Sequence, residues 1–224
     1  MARPFLIAFG IIITVAGSAD AQTRERETLV VRSYNAFGVA GNTMRSAERG
    51  LVTTFAAAGI DVHFRECRTA RLTGRRPSLA RCDEVLMPRE VVVRIVQAPR
   101  TERDPNVLGF SYVDTRVKRG TLGTVYVDRV TALARQHRVE QGRMLGRAMA
   151  HEVAHLLLGT TAHASGGLMR DQWLFGRNRE ADWTFSDSEA AAMRAALALL
   201  TDAPADLVAS ARPITGAASP TKER

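Results

Sequence analysis

Hydrophobic and polar residues alternate in several short segments of the chain, and this period of two predicts β-strands. Within residues 60–67, for example, apolar side chains alternate with Asp61, His63 and Arg65. β-branched residues dominate residues 90–97, which therefore predict a buried strand. The predicted strands are residues 28–36, 60–67, 90–97, 108–113 and 121–127.

Apolar residues recur with a helical period in the segments between and after these strands. One pattern opens at Asn42 and ends at Gly59, a residue suited to a helix C-terminus. Residues 128–137 and 187–200 also predict helices, the second with Ser186 as its N-cap. Residues 141–158 form the longest such pattern.

The order of these elements is strand, helix, strand, further strands, long helix, loop and terminal helix. We therefore expect an α+β fold (α/β layered), in which one twisted sheet packs against helices, with a last helix at the C-terminal end.

The two ends of the chain differ from its middle in their sequence patterns. Residues 1–21 contain an early Arg3, an apolar run over residues 5–15 and the small-residue pattern Ala19-Asp20-Ala21, which together predict a cleaved secretory signal peptide. A membrane anchor is the alternative, but the run is short for a span. We expect one domain over residues 22–202 and a disordered tail over residues 203–224, in a protein exported to the periplasm or outside the cell.

The net charge of +8 raises the question of a nucleic-acid partner. The basic residues are scattered along the chain and are not interleaved with aromatic residues. We therefore expect no nucleic-acid partner and no stable membrane insertion, and we attribute the charge to a solvated surface or to attraction by an anionic cell envelope.

Cys67 and Cys82 are the two cysteines of the chain. In an oxidising compartment such a pair tends to be bridged, so we expect a disulfide across the intervening loop. Two free thiols, or a cysteine that binds a metal, are the alternatives.

The segment His151-Glu152-Val153-Ala154-His155 lies within the long helical pattern. Because four residues are about one helical turn, both imidazoles leave the same face and can bind one metal ion. Glu152 is placed to take a proton from a metal-bound water. Nitrogen ligands of this kind favour zinc, with one Zn²⁺ per chain. The apolar residues of the pattern lie on another face, so the count predicts Glu152 on the solvent side.

His163 is the first candidate for the third ligand, because a turn at Gly159 would bring its ring back towards the first two. Glu180 is the main alternative, at a distance along the chain that suits a later helix. Asp171 and Asp182 are lesser candidates. His63 and His137 are assigned no role.

The motif His-Glu-x-x-His, followed by Gly159 and His163, resembles the signature of the metzincin zinc peptidases, whose usual form is H-E-x-x-H-x-x-G-x-x-H. The following Gly166-Gly167-Leu168-Met169 is similar to the Met-turn of that family. This chain has one extra residue on each side of Gly159, a variant also similar to that of a group of small exported bacterial proteins.

The resemblance implies a zincin-like fold and a zinc metallopeptidase that hydrolyses protein or peptide substrates, with Glu152 as general base and His151, His155 and His163 as metal ligands. It also implies that extended substrate pairs with an edge strand, for which residues 121–127 are the candidate. A non-catalytic zinc-binding exported module and an amidase that acts on cell-wall peptides are the alternative functions.

Overall fold

The structure is a computed structural model of the 224-residue chain, and it describes residues 26–67, 82–173 and 183–200. The predicted signal peptide and the predicted C-terminal tail lie outside these residues. The strands are β1 (Glu27–Asn35), β2 (Ile60–Cys67), β3 (Glu90–Val96), β4 (Gly109–Asp114) and β5 (Arg119–Tyr126). The helices are α1 (Gly41–Ala57), α2 (Val127–Gln136), α3 (Gln141–Leu158) and α4 (Asp187–Leu199).

The five strands form one mixed sheet in the order β2-β1-β3-β5-β4. The neighbours β2, β1, β3 and β5 are parallel, while β4 runs antiparallel to β5 at the edge of the sheet. This arrangement of one sheet and packed helices confirms the predicted fold class. The expectation that residues 121–127 form the edge was wrong, because β5 pairs with β3 on one side and β4 on the other.

Helix α3 is the centre of the structure. It packs against α1 on one side and against β5, β4, α2 and α4 elsewhere, so that its apolar side chains are buried around most of its circumference. Burial on this scale supplies the main driving force for folding. The part of α3 that carries the histidine motif is therefore held by the core rather than by helix propensity alone.

The Cys67–Cys82 disulfide is present, which confirms that prediction. The segment that follows Cys82 is fixed to the sheet by the buried guanidinium of Arg32, which donates to the main-chain oxygen of Glu84 at 2.7 Å and pairs with the carboxylate of Glu90. The Tyr34 hydroxyl also donates to the main-chain oxygen of Cys82 at 2.7 Å. The disulfide thus joins the end of β2 to a segment that the sheet itself anchors.

The last described helix begins as predicted. The Ser186 side chain accepts from the main-chain N–H of Glu189, whose carboxylate accepts from the N–H of Ser186 in return, so both form a capping box. No helix in the described part of the chain combines the length and the hydropathy needed to cross a bilayer.

Candidate metal centre

Helix α3 brings His151 and His155 together on one face, one turn apart, and both are buried. The helix ends where Gly159 adopts the left-handed conformation (φ 63°) and donates its N–H to the main-chain oxygen of His155 at 3.0 Å. A Cβ at this position would lie 2.2 Å from the carbonyl carbon and oxygen of Lys118, in the turn between β4 and β5. Gly159 is therefore required both by its conformation and by the close approach of that turn.

In both buried rings the Nδ1 atom forms a hydrogen bond with a main-chain carbonyl. His151 Nδ1 lies 2.9 Å from the oxygen of Leu168, and His155 Nδ1 lies 2.8 Å from the oxygen of Thr160. A carbonyl only accepts, so these contacts assign the proton of each neutral ring to Nδ1. The lone pairs of both Nε2 atoms are thereby directed into the space between the rings.

The ring of His163, which follows the turn at Gly159, borders the same space. Its Nε2 lies 3.3 Å from Nε2 of His151, which lies 3.0 Å from Nε2 of His155. One ligand atom from each of the three rings falls within 4.8 Å of the others. His151 and His155 are buried and His163 is exposed.

The donor set of this group fits zinc. The Nε2 lone pairs of His151 and His155 face each other at 3.0 Å, and a cation between them would remove their repulsion. Nitrogen atoms bound to one tetrahedral zinc at about 2.0–2.1 Å would be about 3.3–3.4 Å apart, close to the observed separations. Three imidazoles also leave the fourth position of a tetrahedron open, as catalytic zinc sites do.

The protonation states of the buried rings suit metal binding. Burial lowers the pKa of His151 to about 4, with a further decrease from the neighbouring His155 and an opposing effect of the Leu168 carbonyl. Burial likewise lowers the pKa of His155. Both rings are therefore neutral at pH 7, which is the form that binds a metal.

The segment after His163 supports the ring of His151 through its backbone. The N–H of Ala164 donates to the oxygen of Met169 at 2.8 Å, and this closes the turn that carries the buried Met169. The oxygen of Leu168 accepts from His151 and also from Trp173 Nε1, at 3.2 Å. The Trp173 ring meets the edge of the His151 ring, with centroids 6.0 Å apart. Trp173 is half-buried beside the metal group.

The helical position of Glu152 predicted that it lies on the solvent side. The structure shows that this prediction was wrong. The Glu152 side chain is buried under the hairpin of β4 and β5. A Cβ at Gly109 would lie 2.7 Å from Glu152 Oε1, and a Cβ at Gly123 would lie 3.2 Å from Glu152 Cβ, so both strands cross the residue at glycines. Ser111 Oγ lies 2.8 Å from Glu152 Oε2.

Burial raises the pKa of Glu152 to about 7, while its hydrogen bond with Ser111 acts in the opposite direction. A carboxyl group that exchanges its proton near neutral pH is suited to general acid–base chemistry. Sequence reasoning found Glu152 but missed Ser111 and the two glycines around it. The signal that was available is the run of small residues at alternate positions of one strand, Gly109 and Ser111, which leaves room for a helix.

The other candidate ligands are placed as follows. Asp171 is exposed and accepts from the N–H of Gln172 at 2.7 Å, and it does not belong to the three-histidine group. His63 lies on β2, away from that group. Glu180 and Asp182 lie outside the described residues.

Comparison with known proteins gives limited similarity. No protein-family model matches the chain, and no curated protein matches it in sequence. Among solved structures it is similar to metalloproteinase-II from Bacteroides fragilis, with 11% identity and a TM-score of 0.48, over 77% of this chain and 54% of that one. It is also similar to archaemetzincin from Methanopyrus kandleri, with 13% identity and a TM-score of 0.40, over 78% of this chain and 94% of that one. The chain spans about half the length of the first of these proteins. Its function is therefore inferred from its own residues.

Proposed function

We propose that this chain is an exported zinc metallopeptidase, a hydrolase that cleaves peptide bonds in protein or peptide substrates. The observation that carries the proposal is the convergence of ligand atoms from three histidines, with the buried Glu152 directly following the first of them in α3. A purely structural zinc site has no use for a carboxylate of this kind, because it closes all four positions around the metal.

In this proposal His151, His155 and His163 hold one zinc ion. When bound, zinc supplies a Lewis acid that polarises a carbonyl group and makes water a stronger nucleophile. The Leu168 and Thr160 carbonyls keep the two buried rings in the tautomer that presents Nε2. The hydrogen bond from the N–H of Ala164 to the main-chain oxygen of Met169 holds the turn that follows His163. We assign residues 166–169 to a Met-turn.

Glu152 is the proposed general base. Its carboxylate takes the proton of the attacking water and returns it to the leaving amine, and both transfers require a group whose pKa is near the working pH. In the metal-free protein, burial raises the pKa of Glu152 to about 7. The strands above it exclude bulk water from one side, which strengthens electrostatic interactions with the carboxylate.

The substrate would bind as an extended strand along β4. This strand pairs with β5 alone in the described sheet, so its other edge offers unpaired backbone groups. Ser111 lies on the same strand and contacts Glu152. A peptide added to this edge would therefore lie on the strand that contacts the general base.

Export to the periplasm or the exterior belongs to the same proposal. It is supported by the Cys67–Cys82 disulfide, since such bonds persist in oxidising compartments. The signal peptide predicted over residues 1–21 would provide the route.

The test combines metal analysis with digestion of a peptide library. Wild type, Glu152→Gln and His163→Ala are purified with zinc, and His63→Ala serves as the matched histidine control. We expect one zinc per chain in wild type, Glu152→Gln and His63→Ala, and a reduced zinc content in His163→Ala. Cleavage is expected in wild type and His63→Ala, and a loss of at least about 100-fold in Glu152→Gln.

The outcomes separate the alternatives. Zinc without cleavage in wild type would indicate a non-catalytic zinc-binding module. Cleavage of cell-wall peptides but of no library peptide would indicate the amidase. Full zinc content in His163→Ala would remove His163 from the ligand set.

A further inference from the structure

Strand β4 crosses α3 with its smallest residues turned towards the helix. At Gly109 an added Cβ would lie 2.3 Å from the main-chain oxygen of Thr124 and 2.7 Å from Glu152 Oε1. Ser111, two residues further along, places its hydroxyl on the same side of the strand. The carboxylate of Glu152 is thus enclosed by strand backbone on one side and meets a hydroxyl group on the other.

The hydroxyl of Ser111 has two acceptors within reach. Its Oγ lies 2.8 Å from Glu152 Oε2 and 2.8 Å from the main-chain oxygen of the same residue. A hydroxyl has one proton to donate. A carboxylate oxygen is the stronger acceptor, and a carbonyl within a helix already accepts from the N–H four residues later, so the proton of Ser111 is directed to Oε2.

This contact fixes the direction of the carboxylate. Glu152 has three rotatable side-chain bonds, and ordering them costs conformational entropy. The hydroxyl comes from a paired strand in the sheet, with Ser111 opposite Gly123, and its position is therefore set by the sheet rather than by a mobile loop. A short neutral side chain holds the carboxylate without the permanent charge that a Lys or Arg would bring next to the metal group.

We propose that Ser111 is a positioning residue for Glu152, a role that rests on the proposed function of Glu152 as general base. In the described part of the chain, the Ser111 hydroxyl contacts Glu152 and none of the three histidines. It acts through Glu152, by keeping Oε2 in one place so that the carboxylate faces the reacting water in a single orientation.

Kinetics of four proteins test this role: wild type, Ser111→Ala, Ser111→Thr and Glu152→Gln. Because the hydrogen bond is to a charged group, we expect kcat to fall about 10-fold or more in Ser111→Ala, with KM unchanged. Ser111→Thr keeps the hydroxyl on a side chain suited to a strand and should restore most of the loss. Equal zinc content and equal circular dichroism establish that all four proteins are folded and loaded.

The double variant Ser111→Ala with Glu152→Gln separates positioning from a general structural effect. If Ser111 acts through Glu152, the second substitution causes no further loss of kcat once Glu152 has been replaced. A tenfold loss in both backgrounds would overturn the proposal, and so would unchanged kcat in Ser111→Ala.

A spectroscopic measurement decides the question even if wild type cleaves no peptide, a result that would count against the proposed function alone. The infrared difference spectrum between wild type and Glu152→Gln, both with ¹³C-labelled glutamate, isolates the carboxyl bands of Glu152. We expect these bands to shift in Ser111→Ala and to return in Ser111→Thr. Bands that are the same in wild type and Ser111→Ala would show that the hydroxyl does not hold the carboxylate.

Discussion

The buried carboxylate of Glu152 has a consequence for stability that can be measured without any substrate. Its folded-state pKa of about 7 lies above the ordinary value of 4.5, and burial is the main cause. Because the pKa is higher in the folded protein, the unfolded chain loses this proton at a lower pH than the folded protein does. The stabilisation from a neutral Glu152 is therefore complete below pH 4.5 and is lost as the pH rises through about 7.

The magnitude follows from the difference between the two pKa values. Each tenfold change in proton affinity corresponds to about 1.4 kcal/mol, so the ionised carboxylate costs the metal-free protein about 3 kcal/mol at high pH. Glu152→Gln has nearly the same shape and can still accept from Ser111, but it has no charge to bury. The variant should be more stable than wild type at pH 9, by about 2 to 3 kcal/mol more than at pH 5.

Urea unfolding monitored by circular dichroism measures this difference. Both proteins are kept in excess EDTA, since bound metal would change the charge next to Glu152. Their free energies of unfolding are compared at several values between about pH 5 and pH 9. The buried histidines are present in both proteins, so their titration cancels in the comparison.

Glu84→Gln is the matched control, because Glu84 is exposed and its carboxylate makes none of the hydrogen bonds in the described part of the chain. Its free energy of unfolding should follow that of wild type at each pH. Curves for wild type and Glu152→Gln that stay parallel across the range would refute the assignment of a raised pKa to Glu152. A difference that grows with pH would show that the protein keeps a destabilising group at its candidate active site.

Three further variants test the frame of the site. Gly159→Ala puts a side chain at φ 63° and 2.2 Å from a neighbouring carbonyl. We therefore expect urea unfolding to show a free energy of unfolding lower by more than about 1 kcal/mol. We also expect zinc titration to show weaker zinc binding. Replacing Cys67 and Cys82 together by Ser removes a cross-link between residues 15 apart, which should cost about 3 kcal/mol in urea unfolding while zinc content stays at one per chain. Trp173→Phe removes the second donor to the Leu168 oxygen and should weaken zinc binding about 10-fold in competition with a chelating dye; unchanged affinity would show that the indole N–H does not support the site.

Local patterns predicted the elements of this fold well. Helix α3 begins and ends at the predicted residues, because its apolar period, its histidine motif and the following Gly159 all indicate the same boundaries. Strand β2 also has the predicted bounds, and the capping box at Ser186 was visible as a serine three residues before a glutamate. These features depend on residues close together in the chain.

The errors concern neighbours that are distant in the chain. Alternation of apolar residues predicts a strand but not its place in a sheet, so nothing in residues 121–127 shows that β4 folds back to cover that edge. The helical count placed Glu152 on a face apart from the apolar residues and predicted that this face meets solvent. It could not show that the hairpin of β4 and β5 lies on that face and buries it.

The position of His163 depends on both kinds of information. Its distance along the chain from Gly159 made it a candidate, and Gly159 does turn the chain in the left-handed conformation. The separation between the rings of His163 and His151 is a property of the folded loop that spacing could not give. The sequence therefore supplied the candidate, and the structure supplied its distances to the other two rings.

The contact between Gly159 and Lys118 limits how this protein can be altered. Turns between strands are usually the positions where insertions, tags and loop exchange are tolerated. The turn at Lys118 is exposed, yet its backbone carbonyl fills the space that a side chain at Gly159 would need. We expect a change in the length of this turn to move the end of α3 and its histidines. An engineer who wants a permissive insertion point should choose another loop, and an evolving lineage could lengthen this turn only by adjusting the Gly159 loop with it.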